Sequence, residues 1–400
     1  MGHADFRRFW FAALLSNTGS WMQSAAIPYV IFRLTRSSAD VGVTGFWIYL
    51  PMMLMSAVGG SLSDRFPRRT LLYLTQASQA AVAVGLWALV ASGHATALTM
   101  SLLGFVGGLT SGLNIPVWQS FVSQLVPREL LPNAVSLNST QFNAGRALGP
   151  LLAGVVIARI SPQAAFLLNA ASFAAVMLVL PFIHAEQPPR ELAVHRSIVA
   201  DLVAGVRYVW NNPPIRACCI AIVAVAGLGN PLFSFLPATF GQEVFKVTGW
   251  RLGLLAGAGG IGAVIVAPLL LTRGARVPRA ILLGVAMTGY GTGALIVGAA
   301  PTYWVALVGA LLWGGSYLAI AASMNTTVQL AAREEMRGKA IAVYIMCLTG
   351  ALPLGTLAWG VVADQVGIRA TTIGAAALLL ALSAWLMVSG RLTAMDSAPA

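Results

Sequence analysis

Long apolar runs broken by short polar connections dominate the chain. A membrane-crossing helix needs about 20 apolar residues. By that measure twelve runs are expected, at 9–32, 41–62, 70–91, 97–122, 133–158, 162–183, 215–238, 250–272, 279–299, 302–328, 339–362 and 370–389. Twelve crossings are even in number, so both termini are expected on one side of the membrane. The longest connection, 184–214, follows the sixth run, is polar and carries Pro188 and Pro189. It divides the chain into a first six-helix bundle (1–183), a linker (184–214) and a second bundle (215–400). Within the linker Ile198, Leu202, Val206 and Val209 recur at helical spacing, with Asp201, Arg207 and Asn211 on other faces. That pattern predicts a short amphipathic helix, lying on the inner membrane surface or bridging through solvent.

Composition fits this pattern. Hydrophobic residues make up 58% and charged residues 9% of the 400 residues, and the mean hydropathy is +0.80; soluble domains are about 25% charged. The net charge of +12 does not mark a nucleic-acid face, because the basic residues sit in the short connections. Seventeen Lys and Arg lie in connections and tails sharing the N-terminal side, six on the other, which predicts cytoplasmic termini. Cys218, Cys219 and Cys347 lie in or beside apolar runs and form neither a disulfide framework nor a metal-ligand spacing. The first run lacks a cleavage site and is expected to be retained.

The connection between runs two and three, Gly60-Ser-Leu62-Ser-Asp64-Arg65-Phe-Pro-Arg68-Arg69, is the most distinctive polar stretch. A weaker echo follows in the second half, Ala275-Arg-Val-Pro-Arg-Ala, offset by 211 residues and lacking the acid. Gly149 and Gly154 recur as Gly355 and Gly360. Repeated halves on the same side of the membrane predict two bundles related by an axis along the membrane normal, with a site between them near mid-depth.

Run five holds Gly145-Arg146-Ala-Leu-Gly149-Pro150, followed by Gly154. Small residues at this spacing permit close helix contact, and Pro150 removes one backbone donor. Generic small-residue packing is the alternative reading of this pattern. Arg146 stands well inside a run, where an ionisable group needs a cavity or a partner. Polar and aromatic residues gather as Asn17, Trp21 and Ser24 in run one, Asn114, Trp118 and Gln119 in run four, and Asn138, Gln141 and Asn143 in run five. Run ten adds Trp313, Tyr317 and Asn325, and run eleven Tyr344, while runs three, six, nine and twelve read as poor in such groups. Polar side chains at membrane depth face the bundle interior or a wet cavity; for any single one, helix–helix hydrogen bonding and substrate contact remain open.

Two motif matches are set aside. Gly257-x-Gly259-x-x-Gly262 fits a dinucleotide fingerprint but lies inside an apolar run with no acid about 20 residues on. Asn138-Ser-Thr and Asn325-Thr-Thr match a glycosylation site but fall in spans. A phosphate loop of the GxxxxGK[ST] type and catalytic clusters are both missing from the sequence, so neither an enzyme nor a cofactor is expected.

Gly60, Leu62, Asp64, Arg65, Arg68 and Arg69 resemble the signature loop of the major facilitator superfamily of transporters, with Pro67 where that signature has Gly. Gly145, Arg146, Gly149 and Pro150 resemble the antiporter signature of helix five. Phe6-Arg-Arg-Phe, Ser16-Asn17, Trp21-Met-Gln-Ser and Pro127-Arg-Glu-Leu resemble the bacterial branch holding enterobactin exporters and macrolide efflux proteins. The resemblance implies an all-α polytopic fold of twelve helices in two six-helix bundles, in which helices 1, 4, 7 and 10 line the cavity and 3, 6, 9 and 12 face lipid. It further implies a multi-pass protein of the bacterial inner membrane that exports drug- or siderophore-like compounds by alternating access and proton antiport. Asp64 would dock near Arg337-Gly338 at the start of run eleven, and Glu129 and Glu334 are candidate partners for Arg65, Arg68 or Arg69.

With few charges among its polar and aromatic residues, the cavity is expected to have broad apolar walls suited to neutral or weakly anionic hydrophobic solutes. No carboxylate lies deep in a run, so the coupling candidates are the edge acids Asp40, Glu243 and Asp364. The expected partners are a small-molecule substrate, a proton and the lipid bilayer, without nucleic acid, and the protein is expected to act as a monomer. A scaffold or receptor with a transporter fold, and an uptake permease, are the alternatives.

Overall fold

A computed structural model describes residues 4–183, 198–234, 237–390 and 392. Side chains are not described at Ala57, Gly60, Ser61, Asp64, Arg65, Arg128, 198–201 and Ala275. The fold is helical throughout the described residues. We label the helices α1 (Ala4–Thr35), α2 (Ser38–Arg65), α3 (Arg68–Ala91), α4 (Ala97–Val122), α5 (Leu131–Arg159) and α6 (Pro162–Val179). After the linker come α7 (Ile198–Asn211), α8 (Pro213–Val244), α9 (Trp250–Arg273), α10 (Arg279–Ala299), α11 (Tyr303–Ala331), α12 (Glu334–Val366) and α13 (Ile368–Val388).

Among the described residues, nine of these helices are long and apolar enough to cross a membrane by length and composition alone. The other three long ones, α1, α2 and α5, have 32, 28 and 29 residues, more than the roughly 20 a crossing requires. They complete the twelve expected spans, and α7 is the amphipathic thirteenth. Several helices overrun their apolar stretch by a turn or more, because a helix continues into water until capping or sterics stop it. Ser37 and Thr96 accept from the backbone N–H of Asp40 and Thr99 at the starts of α2 and α4. Only Phe66 and Pro67 separate α2 from α3, and the fixed φ of Pro67 (−57°) suits the residue before a helix. Gly367 (φ +86°) turns the chain between α12 and α13, a left-handed conformation glycine reaches without strain.

Two compact units form. One comprises 1–193 with Ala238–Gly257, the other Val194–Pro237 with 258–400. In the first, α2 packs on α4, α1 on α5 and α6, and α3 on α4 and α6. Glycines set the approach of α4 to α2: a Cβ at Gly104 would stand 2.8 Å from Cγ1 of Ile48, and one at Gly112 3.0 Å from Cα of Met52. In the second unit α10 packs on α11 and α13, and α12 on α7 and α8. A Cβ at Gly293 of α10 would come within 2.6 Å of Trp313 N on α11. Lipid offers no hydrophobic drive between helices, so such close backbone contact is the main source of packing attraction.

Candidate functional site

The signature loop comes first. Its helical backbone runs to Arg65, and the side chains of Gly60, Asp64 and Arg65 lie outside the described residues. Leu62 O accepts from the Phe66 N–H at 2.9 Å and closes the last turn of α2. Arg68 donates from Nη1 to the carbonyl of Ser120 at 3.1 Å, at the C-terminal end of α4. Arg69 donates to the carbonyl of Ile183 at 3.5 Å. The acid expected to pair with this cluster is thus replaced, at Arg68 and Arg69, by backbone carbonyls. A helix C-terminus has unpaired carbonyls and a partial negative charge, which a guanidinium satisfies as well as a carboxylate would.

On α5, Gly145 and Gly149 lie against α1: a Cβ at Gly145 would be 3.1 Å from the Asn17 carbonyl carbon, and one at Gly149 2.7 Å from Thr18 O. Arg146 is half-buried, its guanidinium 5.7 Å from the ring centroid of Trp21, a cation–π contact. Trp21 also meets Phe142 edge-on at 5.7 Å. Further along α5, the carbonyls of Pro150 and Leu151 would lie 2.6 and 2.8 Å from a Cβ at Gly253 in the first turn of α9. The glycines of α9 that mimic a dinucleotide fingerprint serve the same purpose: Gly257 faces the carbonyl of Ala147 in the first unit, and Gly262 faces Leu311 in the second.

Between α1, α3, α4 and α5 the first unit encloses a cleft of about 340 Å³. Asn17, Asn114, Trp118, Gln119, Asn138 and Gln141, all expected from the sequence, line it. Its hydrogen bonds form a directed chain. Trp118 donates from Nε1 to Asn138 Oδ1 at 3.2 Å, and Gln141 Nε2 donates to the same oxygen at 3.2 Å. Asn17 Nδ2 in turn donates to Gln141 Oε1 at 2.9 Å. An indole can only donate, so Trp118 fixes the orientation of each amide in turn. A second chain runs from Ser16 through Gln76 to Asn114, whose Oδ1 accepts from Gln76 Nε2 at 3.2 Å and from Thr75 Oγ1 at 2.8 Å.

One expectation needs correction here. Helix α3, read as poor in polar groups and lipid-facing, contributes buried Thr75, Gln76 and Gln79, and both glutamines line the cleft. Three polar residues within five positions form one helical stripe, a signal present in the sequence but diluted by the surrounding apolar run. The walls combine apolar surface from Ile115, Phe142 and Phe173 with the amides and the hydroxyls of Ser16, Ser20 and Ser139. Ser24 is exposed, bonding back to Ser20 O at 2.9 Å, and Trp21 stacks behind Phe142; neither lines the cleft.

The second-unit candidates are scattered. Trp313 is buried between Phe233 and Tyr290, at centroid distances of 5.2 and 5.8 Å. Tyr317 lies 6.2 Å from Tyr290, Tyr344 is buried, and Asn325 is exposed and accepts from Gln329. Sequence reading missed the polar centre of this unit. Tyr290 is fully buried and donates to Asn230 Oδ1 (3.1 Å) and to the Val225 carbonyl (3.4 Å). Val225 opens a π-helical turn, Val225–Gly229, where an extra residue displaces the usual ladder. A lone Asn inside run seven was the available signal. The coupling candidates sit apart from the cleft: Asp40 half-buried in the first turn of α2, Glu243 exposed in the π turn Phe240–Val244, and Asp364 exposed near the end of α12.

A family model described as transmembrane secretion effector, a group within the major facilitator superfamily, matches residues 1–400. The chain belongs to this family. It is therefore a multi-pass membrane transporter, not an enzyme. It is 24% identical over 401 residues to the multidrug efflux pump Tap of Mycolicibacterium fortuitum, covering 97% of this chain and 96% of that protein. It is also 24% identical to the enterobactin exporter EntS of Citrobacter koseri, over 84% of this chain and 80% of the exporter. Among solved structures, a bacterial homolog of the human lysosomal transporter Spinster superposes with a TM-score of 0.78 at 14% identity, covering 99% of both chains. That likeness places the fold in the major facilitator superfamily.

Proposed function

We propose that this transporter exports small amphipathic organic compounds, drug-like or siderophore-like, across a bacterial inner membrane. The observation that carries this reading is the cleft of the first unit, about 340 Å³ in volume and lined by uncharged amides, hydroxyls and aromatic rings. An uncharged site of mixed amide, hydroxyl and apolar wall suits neutral amphipathic solutes. The similarity to Tap, a multidrug efflux pump, and EntS, an enterobactin exporter, supports the same direction and substrate class. Both termini are assigned to the cytoplasm by the excess of Arg on the N-terminal side.

We infer transport by alternating access from the repeat of the two halves in the sequence. We assign the driving force to protons, with the edge acids Asp40, Glu243 and Asp364 as the titrating candidates, since no acid lines the cleft among the described residues. Asn17, Asn114, Trp118, Gln119, Asn138 and Gln141 are the proposed substrate contacts, and Gly145, Arg146, Gly149 and Pro150 the proposed gating element. Uptake of a compound panel into inverted membrane vesicles, with and without an imposed pH gradient, tests the reading. Accumulation that collapses with the gradient supports proton-driven export. No accumulation of any compound under any gradient overturns it in favour of a non-transporting receptor.

A further inference from the structure

In the cleft of the first unit the protein's own hydrogen bonds use up two amide oxygens and leave one buried donor unmet. Asn138 Oδ1 already accepts from Trp118 and Gln141, and Asn114 Oδ1 from Thr75 and Gln76. Each of these amide oxygens is thus occupied by two protein donors, which fills its two lone pairs. The acceptor capacity of both oxygens is spent inside the wall. Gln79 holds the unmet donor. It is 8% exposed, lines the cleft, and its Nε2 has no hydrogen-bond partner. A buried donor left unmet costs stability, and such groups in native structures call for an explanation.

We propose that this cleft is a subsite for compounds rich in acceptor oxygens and free of positive charge, with Gln79 Nε2 donating to a ligand carbonyl or ether oxygen. The inference rests on the export reading and gives it a chemical selectivity. A lipophilic cation would meet the unmet Gln79 N–H and no carboxylate among the described residues of the wall. A lactone, ester or polyether would instead satisfy the donor that the empty protein leaves unmet. Trp118 acts as a positioning residue, because its donor-only indole is what turns the amide of Asn138 toward the cleft.

The test uses the full chain in lipid nanodiscs with two probes, the neutral macrolactone brefeldin A and the cation tetraphenylphosphonium. The wild type is expected to bind the lactone at least tenfold more tightly than the cation. Gln79→Met, near in shape but without a donor, is expected to weaken lactone binding about tenfold, the loss of one good hydrogen bond. The same substitution is expected to raise the melting temperature of the empty protein, because it removes the unmet donor. A residue that served only packing would not move affinity and stability in opposite directions. Gln79→Glu is expected to lose the lactone and gain the cation. If Gln79→Met lowers the melting temperature and leaves both affinities unchanged, or if the wild type prefers the cation, the subsite is wrong while the export reading stands. If the affinities change as expected yet neither probe crosses vesicle membranes, export fails and the subsite stands.

Discussion

Gly154 of α5 and Gly253 of α9 meet backbone to backbone, so that a Cβ on Gly154 would stand 2.7 Å from Gly253 Cα and one on Gly253 would stand 3.0 Å from Gly154 Cα. Neither position has room for a methyl group, and the atoms in the way are main chain, which cannot rotate aside. Gly154→Val is expected to push the helices apart at a cost of roughly 1–3 kcal/mol, and Gly154→Ala to cost less. Thermal unfolding in detergent measures this. Because the two glycines touch, the double substitution is expected to cost less than the sum of the single ones; additive losses would mean the helices do not share this contact.

Trp118 holds Asn138 Oδ1 through its indole N–H at 3.2 Å, and the same ring packs on Phe9 at 4.7 Å between centroids. Trp118→Phe keeps most of the packing and removes the donor. We expect a modest stability loss of about 1 kcal/mol and a broader substrate range, since Asn138 and Gln141 are then free to reorient. Competition between lactone and cation substrates in vesicle transport measures the range. An unchanged ratio would show that the amide chain is oriented by something else.

Much of this fold was legible from apolar run length alone, because lipid forces every backbone group into a helix and leaves few alternatives. Each of the twelve runs corresponds to a helix, and the amphipathic spacing around Leu202 to Val209 corresponds to α7. The site was half legible. Asn17, Asn138 and Gln141 stood out against apolar neighbours and do line the cleft. Gln76 and Gln79 did not, because a helix with most of its surface toward lipid still turns one narrow stripe inward, and averaging over the run hides it. Hydrogen-bond direction was wholly invisible: that Arg68 would choose the Ser120 carbonyl over an acid depends on where α4 ends in space.

Tyr290 ties α10 to the π turn of α8 through Asn230 and the Val225 carbonyl. Gly229 lets it do so, because a Cβ there would strike the phenol ring, with Cζ 2.6 Å away. Tyr290→Phe leaves the contact with Trp313 intact and orphans Asn230 Oδ1 in a buried setting. A loss of about 1–3 kcal/mol is expected, readable as a lower melting temperature. Gly229→Ala is expected to be at least as harmful, and Tyr290→Phe is not expected to rescue it, since the clash involves ring carbons as well as the hydroxyl. Full rescue would assign the strain to the hydroxyl alone.

Helix α7 is fastened to the second unit by its C-terminal half. Val209 is buried, Gly205 lies 3.2 Å (from an added Cβ) from the Lys339 carbonyl of α12, and Tyr208 OH accepts from the Arg333 backbone N–H at 2.9 Å. Arg333 precedes the first turn of α12, where backbone donors lack partners within the helix. Tyr208 thus supplies from a neighbouring helix the acceptor that a capping side chain would give, and Tyr208→Phe is expected to cost about 1 kcal/mol. Leu202, Val203, Val206 and Trp210 remain 40 to 64% exposed, which would be unfavourable in water but not at a bilayer interface. Val203→Glu is therefore expected to leave stability in detergent nearly unchanged and to lower it in lipid nanodiscs. Hydrogen exchange along α7 in the two environments separates the cases, and equal protection in both would place α7 in water.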